Sequence, residues 1–246
     1  MTGDAVGGRR AVVEAIRAGG VLDVLVAPGV RETQGLRAVV EAATTAGVEM
    51  RETDRRELDR LAPHHQGVVA RLRSIEPPLE IGERDLAGFP FGGDALVVVL
   101  DGITDPQNLG AAARSAEAAG ASVLVSRVRR AADVTPAAVR ASAGSLLHLP
   151  HARVANIPRA LGRLQDAGFT VVGLDGDAPI SIFDEPCPGG RVALVVGSEG
   201  EGMSRLVRER CDVLVALPMR GRVGSLNASA SLAAALYGYV LPSRRT

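Results

Sequence analysis

The chain has 246 residues, of which 46% are hydrophobic and 23% are charged, and 28 basic residues balance 28 acidic ones. It carries enough apolar residues to bury a core, so it is not wholly disordered, and its length suits one large domain or two ordinary ones. All the basic residues are Arg. Because the net charge is zero, the charge balance argues neither for nor against a nucleic-acid partner.

The sequence shows no feature of a membrane, secreted or metal-bound protein. No apolar stretch reaches the roughly 18 uncharged residues of a membrane span, and the N-terminal MTGDAVGGRR lacks an apolar signal segment. Cys187 and Cys211 are too few for a disulfide scaffold, and neither they nor the four histidines have zinc-ligand spacing. We therefore expect a cytoplasmic protein with no membrane segment and no metal site.

Residues 1–75 have the pattern of a small α/β domain. The expected elements are an amphipathic helix at 11–18 ending at Gly19-Gly20, a strand at 21–27, a helix at 33–46, a strand at 48–50 and a helix at 54–61. Residues 76–93 combine prolines and glycines with weak periodicity, which predicts a linker.

From residue 94 to residue 246, strands alternate with helices. The expected strands are the apolar runs 96–100, 122–126, 170–174, 192–197 and 213–218. The expected helices are 108–119, 136–143, 157–167, 204–209 and 228–240. This alternation is typical of a parallel sheet with both faces covered, in which ligands bind beyond the carboxyl ends of the strands. The informative loops are therefore those after Leu100, Gly197 and Leu217.

Those three loops carry the candidate catalytic side chains. Asn108 and Arg114 follow the first loop, Glu199 lies in the glycine-rich stretch GSEGEGMS, and Ser225 and Asn227 precede the last helix. Each also has a plain structural interpretation, as a helix cap, an exposed arginine or a tight turn. The glycine loop matches neither the dinucleotide fingerprint nor the P-loop. Together, without a Cys–His pair, these residues suit orienting a hydroxyl and a phosphate better than hydrolysis.

Two arginine clusters are further candidates for phosphate contacts. One comprises Arg127, Arg129 and Arg130, and the other comprises Arg220 and Arg222. A solvated surface is the competing interpretation of either cluster, because the charge is nearly balanced along the chain.

Three blocks of sequence resemble the motifs of the SpoU (TrmH-like) RNA 2′-O-ribose methyltransferases of the SPOUT superfamily. They are NLGAAARSAEAAG (108–120), LVVGSEGEGMS (194–204) and LPMRGRVGSLNASAS (217–231). The segments GRRAVVEAIRAG (8–19) and HQGVVA (65–70) are similar to the RNA-binding domain of the subgroup that methylates a guanosine of 23S rRNA. The likeness thus covers 95–242 in motif order and extends to the N-terminal part.

The resemblance implies a fold, a cofactor and partners. The C-terminal domain would be a parallel SPOUT sheet whose last segment is threaded as a deep trefoil knot, although chains generally avoid knots. It would follow a small N-terminal α/β RNA-binding domain resembling a ribosomal protein. S-adenosylmethionine would bind bent in the knot, and the partners would be RNA and a second copy of the chain, paired through the knot region. The residues implied to hold the cofactor are Gly197, Leu217 and Leu226, with Leu194, Gly202 and Met219 beside them.

The implied reaction is methylation of a ribose 2′-hydroxyl. Arg114 would be the base, but a guanidinium seldom gives up its proton, so the alternative is that it clamps a phosphate and stabilises alkoxide charge. Asn108, Ser225 and Asn227 would hold the ribose and the loop, and Glu199 would orient Arg114 or the RNA.

One departure leaves the target open. In SAGSLLHLP (142–150), Leu147 stands where the rRNA subgroup commonly has Glu. The alternatives are another rRNA nucleotide, as in a related antibiotic-resistance subgroup, a tRNA, a catalytically silent RNA-binding module, or a generic nucleotide-binding α/β enzyme.

Overall fold

Two β-sheets with helices packed against them make up the structure, a computed structural model. It describes residues 5–17, 21–72, 80–222 and 224–244. The helix end expected at Gly19-Gly20 and the first residues of the expected linker, 76–79, lie outside the described residues.

The N-terminal sheet has the strand order β1–β4–β2–β3. Its strands are β1 (Ala5–Gly7), β2 (Val21–Val26), β3 (Glu49–Glu52) and β4 (Val68–Leu72), and its helices are α1 (Arg9–Arg17), α2 (Gln34–Ala46) and α3 (Arg55–Leu61). Strand β4 pairs antiparallel with β1 and β2, while β2 and β3 are parallel. The three expected helices and the two expected strands, β2 and β3, are present, whereas β1 and β4 were not expected.

The HQGVVA segment owes its form to a buried histidine. His65 accepts a hydrogen bond from the Gly67 N–H through Nδ1 at 2.9 Å, so its proton lies on Nε2, which donates to Asp59 at 3.0 Å. Gly67 has a φ of +82°, and a Cβ there would lie 2.5 Å from Cγ2 of Val30. The motif therefore builds the tight turn that leads into β4.

The second sheet is parallel, in the order β10–β12–β9–β11–β6–β7–β8–β5. Its strands are β5 (Glu80–Ile81), β6 (Leu96–Asp101), β7 (Val123–Arg127), β8 (His151–Val154), β9 (Thr170–Leu174), β10 (Ile180–Ser181), β11 (Val192–Gly197) and β12 (Val213–Ala216). Its helices are α4 (Pro106–Ala118), α5 (Pro136–Ala141), α6 (Ile157–Asp166), α7 (Arg205–Arg208) and α8 (Ala228–Ala235), and α8 continues as a π-helical turn (Leu236–Val240). The expected parallel sheet is confirmed, and the short strands β5, β8 and β10 are additions to it.

Alternate side chains of the central strands pack into two separate hydrophobic cores. In β6, Leu96, Val98 and Leu100 join a core that includes residues of α4 and α8, whereas Val97 and Val99 join a core that includes residues of α6. All five are at most 1% exposed. Burial on both faces explains why these strands are continuous apolar runs.

Most of the expected linker packs against the second sheet. Strand β5 pairs with β8 at the edge of the sheet, and Leu86 and Phe91 are buried in the core on the α6 side. The Phe91 ring meets that of Phe169 edge-on, with centroids 4.7 Å apart. Residues 80–81 therefore pair in the second sheet and residues 82–93 pack against it, because their few apolar side chains fill a core despite the glycines and prolines around them.

The N-terminal domain contacts the second domain through α1 and the segment after α3, which meet α5 and the segment that follows it. Gly144, with φ +96°, lies so close to α1 that a Cβ there would be 2.1 Å from Cβ of Glu14, and Arg140 donates to the Pro63 carbonyl at 2.8 Å. Leu147, close to this contact in sequence, is 5% exposed and belongs to the core. The position at which the similar subgroup commonly has Glu is thus a packing position in this chain.

A buried histidine–serine pair connects β7 and β8. His151 is fully buried, and its Nε2 lies 2.8 Å from Oγ of Ser126. Burial, with a smaller contribution from the charge of Arg153, lowers the pKa of His151 to about 4. The imidazole is therefore neutral in the folded protein at neutral pH.

This pair should make the folded state sensitive to acid. Above about pH 6.5 histidine is neutral in the folded and unfolded chains alike; as the pH falls from there toward 4, the unfolded chain binds a proton that the folded chain does not. We predict that His151 removes about 2 kcal/mol from the free energy of unfolding between pH 7 and pH 5, measured by urea denaturation.

The controls isolate His151 from other titrating groups. His151→Gln should lack this loss, whereas His148→Gln, at a partly exposed histidine, should keep it. The same dependence on pH in the wild type and in His151→Gln would contradict the prediction.

Candidate active site

Three loops at the carboxyl edge of the second sheet are tied together by one hydrogen-bond network. Asn108 lies in the first turn of α4, Glu199 follows β11, and Asn227 precedes α8. Oε1 of Glu199 accepts from Nδ2 of Asn108 at 2.8 Å and from Nδ2 of Asn227 at 2.6 Å. Nδ2 of Asn227 also donates to Oδ1 of Asn108 at 2.9 Å. Three of the five expected catalytic residues thus meet although they are far apart in the sequence.

Helix α8 determines how these amides are oriented. Oδ1 of Asn227 accepts from the backbone N–H groups of Ser229 at 2.9 Å and Ala230 at 3.3 Å, which makes Asn227 the N-cap of α8. Its Nδ2 must therefore point away from the helix, toward Glu199 and Asn108. Asn227 is therefore a helix cap, as its structural interpretation predicts. It is also a member of the network, because the oxygen of its amide caps α8 while the nitrogen donates to Glu199 and Asn108.

The loop after β11 folds back onto its own strand. Ser198 and Gly202 exchange backbone hydrogen bonds of 3.1 and 2.9 Å. A Cβ on Gly197 would lie 2.0 Å from the carbonyl carbon of Gly202 and 2.2 Å from the nitrogen of Met203, so only glycine fits. Gly200 and Gly202 have φ angles of +82° and +67°. The glycine-rich sequence is therefore required by the turn itself.

A cavity of about 270 Å³ lies among the loops that follow β9, β11 and β12. Five residues expected to hold a cofactor line it, namely Gly197, Gly202, Leu217, Met219 and Leu226. Ser225 also lines the cavity, as does Glu199. Because Glu199 belongs to both the cavity wall and the hydrogen-bond network, the network borders the cavity.

Leu194 and Arg114 lie elsewhere. Leu194, expected beside the direct contacts, is fully buried in the middle of β11, and its side chain lies in the core with α4 and α8 rather than on the cavity wall. Arg114 is exposed on α4, and helical geometry turns it about 240° from Asn108. Within the described part of the chain, Arg114 forms no hydrogen bond or ion pair and does not line the cavity.

The cavity has an acidic side that the sequence analysis missed. Asp175 and Asp177, from the loop after β9, line it together with Glu199 and Glu201. Arg208 pairs with Asp175 at 2.9 Å. The signal was available, since Asp175 directly follows the apolar run TVVGL at the edge of the sheet where ligands bind.

Neither cysteine has the low pKa of a reactive thiol. Burial raises the pKa of Cys187 to about 11 and, together with nearby carboxylates, that of Cys211 to about 12. No cluster of three or more His, Cys, Asp or Glu side chains in the described ranges is arranged to hold a metal ion. Across those same ranges, no helix has the length and apolarity to cross a membrane.

Models of protein families match both parts of the chain. Residues 95–237, more than half of the chain, match the SpoU rRNA methylase family. Residues 5–78 match a model for substrate binding by RNA 2′-O-ribose methyltransferases. The chain belongs to the SpoU family. It is therefore an RNA 2′-O-ribose methyltransferase that uses S-adenosylmethionine, with an N-terminal domain of the substrate-binding type.

Known SpoU relatives resemble the chain over most of its length. The 23S rRNA (guanosine-2′-O-)-methyltransferase RlmB of Photobacterium profundum is 38% identical over 210 residues, which are 84% of each chain. An uncharacterised tRNA/rRNA methyltransferase of Mycolicibacterium vanbaalenii is 42% identical over 228 residues, 90% of this chain and 71% of the relative. The SpoU methyltransferase AviRb of Streptomyces viridochromogenes, solved with AdoMet, has a TM-score of 0.77 at 30% identity, covering 98% of this chain and 91% of AviRb.

The close approach at Gly197 should be indispensable to this SpoU site. A Cβ there would push the loop 198–203 out of the cavity wall, so we predict that Gly197→Ala weakens S-adenosylmethionine binding at least tenfold, measured by calorimetry, and lowers stability by about 1–3 kcal/mol. Gly189→Ala is the matched control, since a Cβ at Gly189 meets open space. Wild-type affinity in Gly197→Ala would contradict this account of the loop.

Proposed function

We propose that the chain methylates the ribose 2′-hydroxyl of one guanosine in 23S rRNA, in the cytoplasm. The observation that carries the reaction is that residues of the second and third SpoU motifs line one cavity, while Asn108 of the first motif joins Glu199 and Asn227 in the network that borders it. The target is supported by two RlmB proteins, named as 23S rRNA (guanosine-2′-O-)-methyltransferases, which are 38% and 40% identical to the chain.

The cavity suits S-adenosylmethionine in size and charge. At about 270 Å³ it is near the lower end of the usual range for small-molecule sites. The carboxylates of Asp175, Asp177 and Glu201 border it and favour a ligand with cationic groups. Its glycines allow backbone groups to come close to a ligand. When bound, the cofactor supplies an electrophilic methyl group for in-line attack by the hydroxyl.

The trefoil knot is part of the proposal. Strand β12 lies on the far side of β9 from β11. The chain after β12 nevertheless returns past the loop that follows β11, because Asn227 forms a hydrogen bond with Asn108, which follows β6 on the other side of β11. Helix α8 then packs in the same core as α4. This return across the folded loop 198–203 supports a threaded path.

We also propose that two chains pair through the knot region. Phe183 and Tyr237 are 69% and 54% exposed. A Cβ on Gly238, next to Tyr237 in the sequence, would lie 3.9 Å from Cε1 of Phe183, which places the exposed Phe183 ring against the turn that carries Tyr237. Light scattering should give twice the 25.4 kDa mass of one chain, and a monomer at micromolar concentration would contradict the pairing.

Arg114 and the polar network would have different roles in binding the RNA and in the reaction. A guanidinium keeps its proton, so Arg114 would bind the phosphate next to the ribose and stabilise the developing alkoxide, while phosphate or water takes the proton. Asn108, Ser225 and Asn227 would hold the ribose and its loop, and Glu199 would orient the RNA or Arg114. The place of Arg114 outside the cavity of its own chain is what a site shared between two subunits requires.

The target is tested by mapping 2′-O-methyl groups at nucleotide resolution. Unmodified 23S rRNA and a tRNA pool are each incubated with the protein and S-adenosylmethionine. We expect one methylated guanosine in 23S rRNA and none in tRNA. Methylation of tRNA or of another nucleotide, or RNA binding without methylation, would overturn the proposed target or reaction respectively.

Substitution of Arg114 separates chemistry from cofactor binding. We predict that Arg114→Ala lowers kcat by about 10²–10³, as the loss of one group that stabilises an oxyanion does, with S-adenosylmethionine affinity unchanged in calorimetry. Arg114→Lys should recover only part of the rate, because a point charge replaces a planar fork. Normal turnover by Arg114→Ala would remove this residue from the mechanism.

A further inference from the structure

Three residues form a row across neighbouring strands at the carboxyl edge of the sheet. Gly197 of β11 is paired with Asp101 of β6. Val99 of β6 is paired with Val125 of β7, so two residues further along these parallel strands Asp101 lies level with Arg127. The row thus connects three features. These are the start of the loop 198–203, called the cofactor loop below, the carboxylate of Asp101, and the first arginine of the cluster Arg127, Arg129 and Arg130.

Asp101 anchors the cofactor loop. It is 3% exposed, and its Oδ2 accepts a hydrogen bond from the Ser204 N–H at 2.8 Å. Ser204 ends the segment that folds back over Gly197 and lines the cavity. A buried carboxylate lowers the stability of the fold unless it is paired, so we expect both oxygens of Asp101 to have partners.

The second oxygen of Asp101 faces Arg127. Oδ1 lies 4.0 Å from Nε of Arg127, and this Nε is buried without a hydrogen-bond partner in the described part of the chain. The Arg127 side chain as a whole is 32% exposed. The buried Nε therefore lies within ion-pair distance of a carboxylate, and the partly exposed side chain belongs to the last residue of β7, at the edge of the sheet where ligands bind.

We propose that Arg127 binds a phosphate of the RNA substrate and that Asp101 positions both Arg127 and the cofactor loop. This inference rests on the proposed function and adds to it a specific contact for the RNA backbone. A phosphate suits the site because a guanidinium fork binds it through two parallel hydrogen bonds. The carboxylate of the cofactor is the weaker alternative, since Arg127 is not among the residues that line the cavity.

The arrangement makes one buried side chain a link between the substrate and the cofactor. Without the charge of Asp101, the Arg127 guanidinium loses the carboxylate that attracts it, whereas the Ser204 N–H needs only a hydrogen-bond acceptor. Asp101→Asn should therefore separate the two roles, because an amide oxygen can still accept from Ser204 but the amide no longer attracts a cation. Asp101→Ala removes both.

The experiment measures RNA and S-adenosylmethionine binding separately, with a 23S rRNA fragment that the wild type methylates. For Arg127→Gln we expect about tenfold weaker RNA binding, a slope of log K against log salt reduced by about 1, and unchanged cofactor affinity. Asp101→Asn should weaken RNA binding similarly and change cofactor affinity less than twofold. Asp101→Ala should also weaken cofactor binding at least tenfold.

Arg163→Gln is the matched control, since it removes one arginine from α6, a helix that contributes no residue to the row of Gly197, Asp101 and Arg127. An unchanged salt slope in Arg127→Gln, or an equal loss of RNA affinity in Arg163→Gln, would overturn the inference. If Asp101→Ala fails to fold, Asp101→Asn still decides the positioning role. A wild type that binds no S-adenosylmethionine would instead refute the proposed function, which the variants of Arg127 leave untouched.

Discussion

The side chain of Asn227 is the constraint on which the site depends. Because its carbonyl oxygen caps α8, its amide nitrogen can donate only outward, and there it meets Glu199 and Asn108. A change that frees the cap would therefore also release the loop before α8 from the other two, which remain joined through Asn108 and Glu199. Secondary structure and active-site geometry are thus coupled through a single amide, which explains how loops distant in the sequence can form a precise cavity without a metal ligand or disulfide in the described network.

The parallel sheet explains why so much chemistry gathers at one edge. Strands β6, β7, β9, β11 and β12 all end there, so the loops after them are neighbours whatever their order in the chain. The two hydrophobic cores hold the strand ends rigid, and polar groups are left to the loops. Asp101 is the exception, since a buried carboxylate at the end of a strand ties the sheet itself to the cofactor loop.

Much of this could be predicted from the sequence, for physical reasons that also mark the limits. Apolar runs revealed the parallel strands because burial on both faces leaves no alternation, and the family motifs identified Asn108, Glu199 and Asn227. The edge strand β5 was hidden because two residues have no detectable period. The positions of Asp101 and Asp175 depend on which strands are neighbours, and the position of Arg114 relative to the cavity of its own chain depends on helix rotation. Local sequence patterns do not predict which strands are neighbours or in which direction a helix turns a given side chain.

A crystal structure with S-adenosylhomocysteine bound would show whether Asn227 and the loops it joins form the cofactor site. We expect density for the bent ligand among the loops after β9, β11 and β12, with Asn227 still bridging Glu199 and the first turn of α4. Ligand density outside this cavity, or a bound state in which these loops are separated and Asn227 has left the network, would contradict it.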